Sequence, residues 1–402
     1  MKLSGCTTYV VANPPPHFGG RYFIFVKLAT DDGIEGIGEA YVATFGPHRV
    51  AELIEDVFER HLLGRDPAHI EAFYRRAWGS GFTARPDVTL MGVVSALEMA
   101  CWDIVGKALD RPLHMLLGGR VRERVRSYTY LYPEAGDATD VYADPDLAAE
   151  RAAAYVARGF TAVKFDPAGP YTVHDGHQPR RADLTRSARF MARLREAVGD
   201  RADLLFGTHG QFTSSGALRV ARAIEPFDPL WLEEPVPPDD ERGMARVAAG
   251  TSIPVAAGER LTTKSEFMRL LDAGVTVLQP NLGRCGGVLE ARKIAALAEA
   301  RGAQIAPHVY CGPVVAAASL QLALSLPNFL IMEGIGDWGG FHAALLKTPI
   351  RWQDGFVLPP DGAGLGVELD EEVARAHPYE DDARHQPLHL SMQEAPIDLL
   401  DD

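Results

Sequence analysis

Two short apolar runs end abruptly on charge: Leu230-Trp-Leu runs into Glu233 and Glu234, and Ile253-Pro-Val-Ala-Ala-Gly runs into Glu259 and Arg260. Asn281, His308 and Glu333 close later runs of the same kind. The spacing is regular: Gly207 and Glu233 stand 26 residues apart, Glu233 and Glu259 26, Glu259 and Asn281 22, Asn281 and His308 27, and His308 and Glu333 25. Lys164, Asp166 and His209 occupy comparable places after earlier runs. These residue types suit one kind of chemistry. Imidazole moves protons near neutral pH, an ammonium holds an oxyanion, and paired carboxylates hold a hard cation. Singly, each has an ordinary reading: a strand-end Glu caps the next helix, His308 sits satisfied in a core, and Lys164 neutralises a carboxylate. Collected at one place, they would bury several charges together, which is costly unless a ligand or cation compensates.

A scaffold must bring them together, and the pattern from Arg126 onward supplies one. Strand-like runs at Arg126–Leu131, Ala162–Phe165, Leu204–Phe206, Leu230–Leu232, Pro254–Ala257, Val275–Leu278, Gln304–Ala306 and Phe329–Met332 alternate with helical segments. Those helices are read at Asp146–Arg158, Asp183–Val198, Ser214–Ile224, Asp240–Ala248, Lys264–Ala273, Leu289–Arg301 and Pro313–Leu326. Such alternation predicts an α/β fold of the (β/α) barrel kind, with the charged residues at the C-terminal strand ends where barrels keep their chemistry. A doubly wound sheet is the competing architecture, but no GxGxxG follows the first strand. Before the barrel, Thr7–Ala12, Tyr22–Ala29 and Ile34–Ala40 read as antiparallel strands, and Arg49–His61, Ile70–Trp78 and Val88–Leu109 as helices. The expected division is an α+β unit over 1–124, a barrel over 125–340 and a segment over 341–402 that returns to the first unit, its polar end from about Ala383 reading as a loose arm.

The 402 residues carry a net charge of −14, which argues against nucleic acid or an anionic membrane as the main partner. An acidic small-molecule substrate would therefore be held by local cations. Cys6, Cys101, Cys285 and Cys311 show neither CxxC nor zinc spacing and read as reduced thiols. With no signal-peptide pattern at the N-terminus, the expectation is a cytoplasmic protein with no membrane partner.

Several motifs together resemble the enolase superfamily, specifically the mandelate racemase subgroup and its galactonate-dehydratase-like sugar-acid dehydratases. They are Ser95-Ala-Leu-Glu-Met-Ala-Cys-Trp-Asp-Ile-Val-Gly-Lys107 with Leu116-Leu-Gly-Gly119, Ala162-Val-Lys-Phe-Asp166, Trp231-Leu-Glu-Glu-Pro235, Ala257-Gly-Glu259, Cys285-Gly-Gly287, Pro307-His308 and Met332-Glu333. The resemblance implies an α+β capping domain over a modified (β/α)7β TIM-like barrel. It also implies Mg²⁺-assisted abstraction of a proton α to a carboxylate. By this resemblance Glu233 and Glu259 match two metal ligands and His308 the general base. Lys164 and Glu333 match groups that hold the substrate carboxylate, and His209 the acid that helps a β-hydroxyl depart. Homo-oligomers are common in the family.

Three positions depart from the family pattern. Gly207 replaces the third metal-binding Asp, leaving His209, Asp166 or water as candidates for that place. Asn281 replaces the Asp that orients the basic histidine, and an amide cannot stabilise imidazolium by charge. Asp166 replaces a second lysine that acts as a base in racemases. These departures favour β-elimination of water from an aldonate or aldarate, giving a 2-keto-3-deoxy acid. The alternatives are a lactone cycloisomerase or racemase on the same scaffold, and a catalytically impaired barrel that binds sugar acids. Specificity is expected from loops near His17–Gly20, Ala43–His48 and Phe82–Arg85. Arg85, His17, Asp166, Tyr130 with Tyr132, Gln211 and Arg260 are the candidate substrate-binding side chains.

Overall fold

The computed structural model describes residues 1–82, 84–169 and 176–380; Thr83 and the stretch from Ala383 onward, both touched by sequence expectations, lie outside the described residues. The chain opens with an antiparallel meander, β1 Leu3–Ala12, β2 Tyr22–Thr30 and β3 Glu35–Ala40. Helices α1 Pro47–His61, α2 Ile70–Gly79, α3 Val88–Ala108 and the short α4 Leu113–Leu116 follow. α3 is long and apolar enough to cross a bilayer, yet it is a core helix, buried over most of its length. It starts on Asp87, whose side chain accepts from Leu90 N. One strand lets it come close: a Cβ on Gly38 would lie 1.9 Å from Ala96 O, so only glycine permits β3 to press on this helix.

The barrel then runs β4 Val125–Tyr130, α5 Pro145–Ala157, β5 Ala162–Phe165, α6 Arg181–Val198, β6 Asp203–Phe206, α7 Ser214–Ile224, β7 Trp231–Glu233, α8 Glu241–Gly250, β8 Val255–Ala257, α9 Thr263–Asp272, β9 Val277–Leu278, α10 Gly287–Ala300, β10 Gln304–Ile305, α11 Pro313–Ser325 and β11 Met332–Gly334. Successive strands from β4 to β10 pair in parallel. Parallel pairing of β11 with β4, Glu333 opposite Tyr128, closes the ring. Between β10 and β11 the seam is made earlier in the chain, where Ile305 N donates to Asn328 O and Leu330 N donates to Ile305 O. The last strand was expected at Phe329–Met332. It falls later because 328–330 serves β10 while 332–334 serves β4.

After the barrel come α12 Gly340–Ala344, the hairpin β12 Trp352–Gln353 and β13 Phe356–Val357, and α13 Glu371–Ala376. β13 pairs antiparallel with the start of β4. Further on, Glu371 binds Lys27 at 2.6 Å and Pro378 bridges Val11, tying this stretch to the meander.

Inside the ring, Tyr128, Ala162, Leu205, Trp231, Ala256, Val277, Ala306 and Ile331, one from each successive barrel strand or its edge, form a separate apolar cluster. Side chains two residues further along a strand face the same way. One step above this plug therefore come Tyr130, Lys164, Gly207, Glu233, Gly258, Gln279, His308 and Glu333. The pleat alone sets most of the charged residues on top of an apolar floor.

Candidate active site

Lys164, from the end of β5, is the cation at the centre of this upper layer, with its side chain 1% exposed. Its ammonium is bonded to Glu233, lies 4.0 Å from Glu333 Oε1 and stands 4.8 Å from the centre of the Tyr130 ring. Burial works to lower its pKa, but Glu233, Glu333, Glu259 and Asp166 outweigh that and hold it well above the ordinary lysine value. The other oxygen of Glu233 accepts from Trp231 Nε1 at 2.9 Å, so the residue beneath it in the strand fixes its carboxylate. Burial pushes the Glu233 pKa up, against the pull of Lys164.

Glu259 enters from the loop after β8. Gly258 occupies the inward position with φ +137°, which a side chain rarely tolerates, and the next residue turns toward the imidazoles. Glu259 Oε2 lies 3.6 Å from His308 Nε2. Although burial works to raise its pKa, His308, His209, Lys164 and Arg260 pull it well below the carboxylate range.

His308 is buried after β10, its Nε2 3.8 Å from Glu333 Oε2 and its Nδ1 accepting from Asn281 Nδ2 at 2.9 Å. Burial depresses its pKa to about 4, so at neutral pH the ring is uncharged. Glu333, 0% exposed, accepts from Val309 N at 2.7 Å through Oε2, while Oε1 has no hydrogen-bond partner among the described residues. Burial lifts its pKa to about 7.

The glycine at the end of β6 has a specific neighbour. A Cβ on Gly207 would lie 1.8 Å from Asp166 Oδ1, so the Asp166 carboxylate from the neighbouring strand fills the room a side chain at 207 would need. That carboxylate accepts from Tyr130 OH at 3.3 Å and lies 3.5 Å from His209 Nδ1. The loop carrying His209 is anchored by Thr208, whose hydroxyl donates to the carbonyls of Glu233 and Glu234.

The remaining candidates divide. Arg260 is paired with Glu234 at 2.7 Å, and Glu234 points away from Glu233 as strand alternation predicts. The Gln211 amide is committed to backbone, donating to Gly169 O and accepting from His209 N, so it shapes the loop. His17 is tied to its own loop through Asn13 O. That loop is nonetheless docked on the barrel, with the Phe18 ring stacked 4.0 Å from Tyr132. Arg85 is exposed, and among the described residues no hydrogen bond or ion pair connects it with the mouth.

Residues the sequence reading missed include Trp231, Gln279, which is fully buried in the same layer as Glu233, and Arg284, which donates to the Tyr41 and Glu259 carbonyls. Two carboxylates of the capping unit were missed as well. Glu39 accepts from Gly312 N, Val314 N and Val315 N at the start of α11. Glu98 accepts from Val288 N and Leu289 N at the start of α10. A carboxylate inside the Ser95–Lys107 motif was a usable signal for the second. For Glu39 the sequence held none.

Comparison with known proteins agrees with this architecture. Residues 17–118 match the mandelate racemase / muconate lactonizing enzyme N-terminal domain, and residues 147–373 match the enolase C-terminal domain-like family. The chain belongs to the mandelate racemase / muconate lactonizing enzyme family. Among family members of known structure, a mandelate racemase/muconate lactonizing enzyme from Sulfitobacter sp. is 56% identical with a TM-score of 0.94, covering 99% of this chain and 100% of that one. Its counterpart from Jannaschia sp. CCS1 is 54% identical with a TM-score of 0.93, covering 96% and 100%. The D-galactonate dehydratase of Variovorax paradoxus (strain S110) is 36% identical, covering 92% of this chain and 93% of that protein. The D-gluconate dehydratase of Thermoproteus tenax is 35% identical, covering 94% and 72%.

Members of the superfamily generally bind Mg²⁺. The residues here do not fit the three-carboxylate site that such an ion takes. The third position is glycine, the carboxylate in its space faces Tyr130 and His209, and both oxygens of Glu233 are engaged by Lys164 and Trp231. Among the described residues no three His, Cys, Asp or Glu side chains are grouped to hold a metal.

Proposed function

We propose that this protein is a sugar-acid dehydratase: it removes the proton α to the carboxylate of an aldonate or aldarate and eliminates the β-hydroxyl as water, giving a 2-keto-3-deoxy acid. The observation that carries this reading is a buried ammonium, Lys164, at the same barrel mouth as two imidazoles, His209 and His308. Relatives named D-gluconate and D-galactonate dehydratase support the substrate class. The developing enediolate adds a second negative charge to the carboxylate end of the substrate, so a fixed cation must already be there. Lys164 meets that need, and Glu333, with its pKa raised to about 7, presents a carboxyl that is protonated in part at neutral pH and can donate to the same oxygens. The imidazoles supply proton transfer and hydrogen bonding. Mg²⁺ would find only Glu233 and Glu259 at the family's ligand positions, so the chemistry is assigned to the chain's own groups. Racemisation is disfavoured because Asp166 stands in place of the second lysine.

The test is incubation with D-gluconate, D-galactonate, other hexonates and the aldarates, followed by assay of 2-keto acid with a carbonyl reagent. Product from at least one acid is expected, and none from the whole panel would refute the reading.

A further inference from the structure

Gln279 and Gln321 are both 0% exposed, and the fold treats them in opposite ways. Gln321, on α11, is fully committed: its Oε1 accepts from His114 N at 2.9 Å and its Nε2 donates to Leu365 O at 3.0 Å. Gln279 has no such bonds. Its Nε2 and Oε1 are both without a hydrogen-bond partner among the described residues. The amide favours the carboxylate form of Glu233 nearby, but both oxygens of that carboxylate are already engaged, by Lys164 and Trp231. A primary amide stripped of water and unpaired at both ends is costly to a fold, and a functional mouth is where such a group finds its partner in a ligand.

Its position indicates which part of a ligand that is. Gln279 follows Val277 of the apolar plug by two residues, so it faces the mouth with Lys164, Glu233, His308 and Glu333. β9, which leads into it, stands across the ring from β5 and Lys164, with three strands between them in either direction. In this layer Lys164 and Glu233 are bonded to each other and His308 to Asn281. Gln279 is therefore the uncommitted neutral group opposite the ammonium. A hydroxyl both donates and accepts, and a primary amide offers both partners.

We propose that the Gln279 amide binds the α-hydroxyl of the substrate, accepting its hydrogen bond through Oε1 and donating to its oxygen through Nε2, while Lys164 and Glu333 hold the adjacent carboxylate. This rests on the sugar-acid reading above and narrows it: the acids taken are 2-hydroxy acids, and Gln279 is the residue that selects them. With hydroxyl and carboxylate held on opposite walls, the α-carbon turns only about the line joining them, which limits where the α-hydrogen can point.

One test needs no substrate. Gln279→Leu and Gln279→Met each remove an unpaired buried amide, so both should unfold in urea at a midpoint equal to or above that of wild type. A midpoint lowered by about 0.5 M or more in both overturns the proposal, since the amide would then be holding the fold. The second test pairs the protein change with a substrate change. Exchange of the α-hydrogen with D₂O is measured for the hexonate that wild type exchanges fastest and for the same acid lacking its α-hydroxyl. The preference for the hydroxy acid should shrink by about tenfold or more from wild type to Gln279→Leu. An unchanged preference overturns this assignment alone. If wild type exchanges no acid at all, the sugar-acid reading fails and the assignment with it.

Discussion

Buried carboxylates occur in two parts of this molecule, and they are handled differently. At the seam between the capping unit and the barrel, Glu39 and Glu98 are fully buried, and each oxygen accepts backbone N–H groups at a helix start. At the mouth, Glu233 and Glu333 are equally buried, yet Glu233 is held by the side chains of Lys164 and Trp231, and Glu333 Oε1 has no hydrogen bond among the described residues, only the Lys164 ammonium at 4.0 Å. Burial raises the pKa of Glu39, Glu98 and Glu333 alike to about 7. A perturbed carboxyl therefore does not by itself mark a functional one. Completeness of its hydrogen bonding separates the group that holds domains together from the group waiting for a ligand.

The sharpest way to break this distinction is to delete charge at the mouth. Lys164→Met combined with Glu233→Leu should reduce kcat/KM by about 10³-fold or more, some 4 kcal/mol of transition-state stabilisation. Urea unfolding should change by no more than about 1 kcal/mol, because a buried pair replaced by apolar groups is often neutral. A loss of several kcal/mol would place the pair with the structural carboxylates. At the seam the pattern should invert. Glu39→Ala leaves three buried N–H groups without an acceptor and should lower unfolding stability by about 3 kcal/mol, with kcat of the folded fraction little changed.

A smaller effect concerns pH. A carboxyl with a raised folded-state pKa holds more protons folded than unfolded, so its contribution is present below about pH 4.5 and is lost as pH rises through about 7. Asp103, lifted by burial to about 6, acts in the same sense. His308 and His342, depressed by burial to about 4, act oppositely, and theirs is lost as pH falls below about 6.5. The raised carboxyls outnumber the two depressed imidazoles, so the contribution of these groups should fall as pH rises from about 4.5 to about 7, by on the order of 1 to 3 kcal/mol, and level off above that. Urea midpoints at pH 5.5, 6.5 and 8 check this; a midpoint still rising at pH 8 would be contrary. The smallest effect is on metal removal. Extensive treatment with EDTA should leave kcat/KM within about twofold, because no three-carboxylate group is present among the described residues.

Much of this was legible in the sequence because it is local or periodic. Ala162–Phe165 and Ser214–Ile224 fall where apolar runs and helical spacing predict. A regular series of mostly polar or charged residues after successive strands announced the mouth, and alternation along the chain separated Glu233 from Glu234. Contacts between distant strands were not legible. Nothing in the order of residues says that the Asp166 carboxylate fills the space at Gly207, that Trp231 binds Glu233, or that Gly283 N–H sets the Asn281 amide. The last strand was misplaced for a similar reason, since which neighbour each residue serves is a property of the closed ring.

The central claim, that this mouth acts on the α-hydrogen of a sugar acid, meets its most direct test in D₂O. With wild-type protein and D-gluconate or D-galactonate, the proton NMR signal of the α-carbon should vanish as a 2-keto-3-deoxy acid appears. An α-proton signal that stays intact in every hexonate and aldarate, with no product formed, would contradict the account.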